Sequence, residues 1–137
     1  MTLSVTVKHR FSSFDLDVGF DAPAGVTALF GRSGSGKTTV VQTIAGLLRP
    51  KAGQVTVNGK TLFDSATGVW VPPAKRRIGY VFQEGRLFPH LNVRQNLRYG
   101  AWFPTRRQGA ASFDHVVELL GIAPLLDRRP AALSGGE

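Results

Sequence analysis

Apolar and polar residues alternate at Leu3, Val5 and Val7, and again at Phe14, Leu16, Val18 and Phe20. A repeat of two puts successive side chains on opposite faces, so both runs are predicted to be half-buried strands. The mostly apolar "VTALF" (26–30) and "IGYVFQ" (78–83) read as buried strands. Between them the period changes. Val40, Val41, Ile44, Leu47 and Leu48 recur at helical spacing, and Pro50 stops the helix. Asn58-Gly59 inside "QVTVNGKTLF" (54–63) is a hairpin signal between two strands. "SFDHVVELLG" (112–121) has a serine cap, an apolar side and a terminal glycine, and predicts a helix. Segments 85–110 and 122–133 are mixed and lean helical. Strands early, a strand–turn–helix unit next and helices late predict an α/β nucleotide-binding core with a small β layer and a helical insertion.

Composition narrows the class. The 137 residues are 42% hydrophobic and 19% charged, the balance of a globular domain rather than a disordered chain. No apolar run approaches membrane-spanning length. "MTLSVTVKHR" alternates instead of following the basic-then-apolar order of a signal peptide, so it reads as a strand of a cytoplasmic protein. With no cysteine, disulfides and thiolate metal sites are excluded. The histidines His9, His90 and His115 have no ligand spacing. The net charge of +8 and pI near 10.9 favour anionic partners. The basic residues are spread, with short clusters at Lys75-Arg76-Arg77, Arg106-Arg107 and Arg128-Arg129, which read mostly as a solvated face and not as a nucleic-acid groove. Asp64 and Asp127 read as surface or turn residues.

"GRSGSGKT" (31–38) fits G-x-x-x-x-G-K-[ST] at every fixed position. A triphosphate is a dense anion, so its cradle must turn several backbone N–H groups inward. Gly31, Gly34 and Gly36 permit the necessary backbone angles and close approach, and Ser33 and Ser35 complete the loop. The following helix adds unpaired N–H groups and its positive dipole end. Lys37 is placed to reach the β- and γ-phosphates, the Thr38 hydroxyl to ligate Mg²⁺, and Thr39 to meet the α-phosphate side. A surface turn with an incidental lysine would give the same letters. The apolar run before the loop and the amphipathic run after it favour the cradle. The cradle alone does not choose among kinases, GTPases, helicases and transporters.

Two further stretches are more specific. "LSGGE" (133–137) follows the cradle, with "YVFQ" (80–83) between them. The set resembles the nucleotide-binding subunit of ABC transporters, and the likeness covers essentially the whole chain. It implies a P-loop NTPase core of ABC type with an N-terminal antiparallel β-subdomain and a helical subdomain, divided as 1–88 and 89–137. It also implies a head-to-tail dimer in which Ser134, Gly135 and Gly136 meet the γ-phosphate of ATP held by a second copy. Exposed N–H groups and a hydroxyl suit that role. The family's usual last residue here is Gln, so Glu137 is given no phosphate contact. Gln83 resembles the Q-loop glutamine, which helps hold Mg²⁺ and positions the attacking water; an amide can accept from one side and donate from the other. The family also stacks adenine on an aromatic soon after the first strand. Phe11 is the leading candidate and Phe14 the next, although an aromatic in either place is more often simply core.

"PPAKRRIGYVFQEGRLFPHLNVRQNLRYG" (72–100) and "LLGIAPLLDRRPAALSGGE" (119–137) are similar to the ATP-binding subunits of bacterial molybdate importers. The likeness implies a peripheral subunit on the cytoplasmic face of the inner membrane, touching an integral permease through residues 84–90 and served by a periplasmic binding protein. His90 falls in that contact and not in catalysis. Importers of sulfate, iron or polyamines have similar subunits. In the family a Walker B aspartate, a catalytic glutamate and a switch histidine follow the signature. None has a residue among these 137, so the chain is expected to hold ATP and not to hydrolyse it. The other readings are a nucleotide-binding module that never hydrolyses and a nucleic-acid-associated ATPase of the same class. Salt-dependent DNA binding would mark the last.

Overall fold

The computed structural model describes residues 2–102 and 112–137. The Arg106-Arg107 cluster and the end of the 85–110 segment lie outside them. The chain forms two compact units, Met1–Val81 and Phe82–Glu137.

The first unit is built on an antiparallel sheet of β1 (Leu3–Arg10), β2 (Asp15–Ala22), β3 (Ala52–Val57), β4 (Lys60–Asp64) and β5 (Val69–Trp70), in the order β2-β1-β3-β4-β5. The period-two pattern sets the register. Val5 faces Phe20 and Val7 faces Val18 across β1–β2, while Val5 and Val55 pair across β1–β3. Val5, Val7, Val55 and Phe63 are essentially fully buried. Burying a side chain such as Phe63 contributes about 2–3 kcal/mol. Asn58 and Gly59 both take positive φ, 50° and 74°, as the tight β3–β4 hairpin requires. Asp64 ends β4 by accepting the N–H groups of Ala66 and Thr67, which hold its carboxyl below the ordinary range.

Helix α1 (Lys37–Ala45) follows the glycine-rich loop and presses Val40 into the sheet core. It stops earlier than its apolar pattern predicts. Gly46 adopts φ 82°, and the N–H groups of Gly46 and Leu47 return to the carbonyls of Thr43 and Gln42. Leu47 therefore lies beyond the helix and is exposed. A short helix, α2 (Pro73–Arg76), closes the unit.

Two predicted strands are absent. Residues 26–30 and 78–83 form no ladder, and Val26, Phe30 and Val81 are almost fully exposed at 101%, 95% and 95%. The reason is the lack of a neighbour. A strand exists by pairing, and among the described residues no strand runs beside either segment.

In the second unit, α3 (Val93–Arg98) and α4 (Phe113–Leu120) are joined by a small core of Val93, Val117 and Leu126. The cap signals of α4 hold: the Ser112 hydroxyl accepts the His115 N–H, and Gly121 takes φ 65°. Asn92 and Gln95 form a reciprocal capping box at α3, a pattern readable as N-x-x-Q. Residues 122–133 carry only short 3₁₀ turns, at Ala123–Leu125 and Pro130–Ala132.

Candidate functional site

The loop between residue 30 and α1 is the candidate anion site, and its backbone depends on glycine. Gly34 and Gly36 take φ 81° and 90°, the left-handed region that glycine enters without steric cost. At Gly31 a Cβ would come 2.7 Å from Ser35 Oγ, and at Gly36 one would come 2.8 Å from Leu16 Cδ1. Glycine at 36 thus lets the loop lie directly on the sheet. No side chain caps α1 at Gly36, so the N–H groups of its first turn remain available, with the positive end of the helix dipole behind them. Lys37 bends back over the loop, its Nζ donating to Gly31 O and Arg32 O, each at 2.8 Å.

Phe11, Phe14, Ser33, Gly34, Ser35, Gly36, Lys37, Thr38 and Thr39 line one cavity of about 430 Å³. The β1–β2 turn delivers the aromatics. Phe11 N–H donates to Phe14 O, and the rings stack with centroids 4.8 Å apart and planes 13° apart. His9 meets Phe11 edge-on at 4.6 Å. The cavity is cationic and rich in N–H groups at the loop and aromatic at the turn, which suits a phosphate joined to a flat base. Among the described residues lining it there is no carboxylate. Nor does any cluster of three or more His, Asp or Glu among the described residues form a ready metal site. A hard cation would take the exposed Thr38 hydroxyl together with phosphate oxygens.

The remaining predicted residues belong to the second unit. Gln83 is exposed in a bend. Leu133 packs on the Val93–Val117–Leu126 core, which leaves Ser134, Gly135 and Gly136 exposed beyond it. Ser134 N–H donates to Glu137 Oε2 at 2.7 Å, and Arg128 lies 3.8 Å from the other oxygen. The Ser134 N–H and hydroxyl hold the Glu137 carboxyl below its ordinary range, with Arg128 adding to the effect. This turn therefore already receives an anionic oxygen at Ser134. Asp127 is the predicted surface residue, 84% exposed and 3.5 Å from Arg94.

One buried cation departs from the sequence reading. Arg76, read with its neighbours as part of a solvated face, is only 5% exposed. Its Nε donates to Val71 O at 2.7 Å, and its Nη1 donates to Thr43 O at 2.7 Å and Ile44 O at 2.9 Å. The guanidinium lies 4.5 Å from the centroid of Trp70, and burial lowers its pKa from the ordinary value. A lone arginine in a basic cluster gives no sequence signal for such a position.

A glycine-rich loop and two aromatics line one cavity over an antiparallel sheet, and the chain carries a second, helical unit. Residues 16–137 match the family model for ABC transporters. The chain belongs to that family. It is 58% identical over 137 residues to the molybdenum import ATP-binding protein ModC of Rhizobium johnstonii and 56% identical over 137 residues to ModC of Rhizobium etli. The whole chain is covered in both cases, and it spans about 39% of the length of each of these curated relatives. Among solved structures, it is similar to the dimeric post-hydrolysis state of the cassette MJ0796 bound to ADP and Pi. That match has TM-score 0.65 and 26% identity, over 99% of this chain and 64% of that one. The ABC-type fold expected from the sequence is borne out by these likenesses.

Proposed function

We propose that the chain forms the nucleotide-holding part of the ATP-binding subunit of an importer for molybdate. The observation that carries the proposal is the single cavity joining the Gly31–Thr39 loop to the Phe11–Phe14 pair. Phosphates lie on the loop amides and Lys37, and adenine lies against Phe11. Thr38 holds Mg²⁺ with the phosphate oxygens, and Gln83 contributes to the metal and to placing water. The cargo is inferred from the ModC relatives, since no residue of the cavity is suited to choosing an oxyanion.

Two copies pair head to tail, with Ser134, Gly135 and Gly136 of one reaching the phosphates of the other. The Ser134 N–H supports this, because it already binds a carboxylate that a phosphate would displace. The dimeric cassette with 26% identity supports pairing as well. Residues 84–90 touch a membrane permease, which places the subunit at the cytoplasmic face of the membrane, and a periplasmic binding protein delivers the cargo. No nucleic acid takes part. These 137 residues bind ATP without turning it over, because no carboxylate among the described residues lining the cavity is placed to activate water.

The test is a calorimetric titration of the chain with Mg·ATP, followed by sedimentation. Saturable one-to-one binding and ATP-driven association are expected, and a chain that takes up no ATP would end the proposal. Ser134→Arg should leave the titration unchanged and suppress the association. Normal association of that variant would refute the head-to-tail arrangement.

A further inference from the structure

We infer that Arg76 is a positioning residue for the phosphate loop, acting through α1 from the end opposite the site; this rests on the nucleotide reading above. Arg76 is a buried cation with no paired carboxylate among the described residues. Its charge is met in part by other means, through Nε and Nη1, while Nη2 is buried without a hydrogen-bond partner among the described residues. Nη1 sits between the carbonyls of Thr43 and Ile44, in the last turn of α1, where the helix dipole is negative. The guanidinium carbon lies over the ring of Trp70 of β5, and Nε donates to Val71 O just after that strand. Arg49 approaches the same ring, at 5.6 Å. One side chain thus ties the C-terminal end of α1 to the edge of the sheet.

The fold reserves this place. Gly46 closes α1 with φ 82°, and a Cβ there would collide with Arg76 Nε and come 2.8 Å from its Cζ. The other end of α1 is the start of the phosphate site. A nine-residue helix is stiff, so fixing its C-terminal carbonyls fixes the direction of the N–H groups at Lys37, Thr38 and Thr39. The loop has no side-chain cap to orient it. Leu16 under Gly36 bears on it at one end of the helix, and Arg76 bears on it at the other. A cation at the helix C-terminus also complements the dipole whose positive end faces the phosphates.

The experiment titrates the chain, Arg76→Met and Arg76→Lys with inorganic tripolyphosphate, and records amide spectra of each without it. Methionine keeps an apolar stem on Trp70 and loses every donor; lysine keeps the charge and three donors. We expect Arg76→Met to bind tripolyphosphate about tenfold more weakly. Amide resonances should move at Gly36–Thr39 but not in the β1–β3 ladder. Arg76→Lys, whose compact ammonium cannot match the fork that spans Val71 O and the α1 carbonyls, should recover only part of the affinity. Equal affinity of the chain and Arg76→Met would overturn the role of Arg76. If Arg76→Met does not fold, Arg76→Lys decides: unmoved Gly36–Thr39 amides with unchanged affinity would overturn it, and displaced amides with a partial loss would support it. A starting chain that binds no tripolyphosphate would instead sink the nucleotide reading itself.

Discussion

Lys37→Ala is expected to weaken ATP binding by about ten- to a hundredfold, the equivalent of one charged hydrogen bond worth roughly 1.5–3 kcal/mol. The ammonium has three donors. Two lie on Gly31 O and Arg32 O, which hold the side chain over the loop. In the proposed function its remaining donor and its charge serve the phosphates. Alanine would remove both the phosphate contact and the tie across the loop. Neither belongs to the hydrophobic core, so thermal unfolding should be nearly unchanged while binding is lost. Titration of ATP calorimetrically, with a melting curve of each protein as control, separates the two effects. Lys37→Arg should not rescue, because a planar fork replaces a compact point charge in a loop shaped by glycine. Unchanged ATP affinity in Lys37→Ala would mean that backbone N–H groups alone hold the anion.

The backbone shape of the glycine-rich loop was legible in the sequence because its requirements are local. Gly34 and Gly36 take positive φ, and a Cβ at Gly31 would meet Ser35 of the same loop, so most of the glycine pattern is set within a few residues. The hairpin at Asn58-Gly59 was legible for the same reason: two consecutive positive φ angles need those residue types. Arg76 was not legible. Its acceptors are backbone carbonyls, two of them more than thirty positions away at Thr43 and Ile44 and one nearby at Val71, and carbonyls carry no side-chain signature. The runs at 26–30 and 78–83 misled in the opposite direction. Apolar letters say that a segment favours burial, but the cover comes from neighbouring strands that the segment does not encode. Phe11 stands between these cases. The sequence offered it as either a base platform or a core residue, and its position is compatible with both: stacked on Phe14, it packs against the sheet core and also lines the loop cavity.

The largest loss of stability is expected from a glycine outside the loop. Gly53 in β3 faces Val7 of β1 and has φ 126°, a value that L side chains rarely adopt. A Cβ at this position would run into Thr6 O, and it would lie 2.8 Å from Thr6 C and 3.0 Å from Val7 Cα. These are backbone atoms of β1, paired on both sides by β2 and β3, and cannot swing aside. Gly53 is also fixed on its other side, where its N–H donates to Ser65 Oγ and its carbonyl accepts from Ser65 N–H, both at 3.0 Å. Gly53→Ala must therefore displace β3 from β1 beside Val7 and Val55, which are fully buried. Backbone strain and lost packing together should cost about 2–4 kcal/mol. In a domain of this size that lowers Tm by roughly 10 °C. Gly59→Ala is the control: φ is 74°, but nothing lies within 4 Å of the added carbon. It should cost about 1–2 kcal/mol from the left-handed conformation alone. Thermal melts of the two variants then measure clash against conformation on one sheet. Equal melting temperatures would show that the β1–β3 ladder yields to a methyl group, and that the close approach at Gly53 is not what forces glycine there.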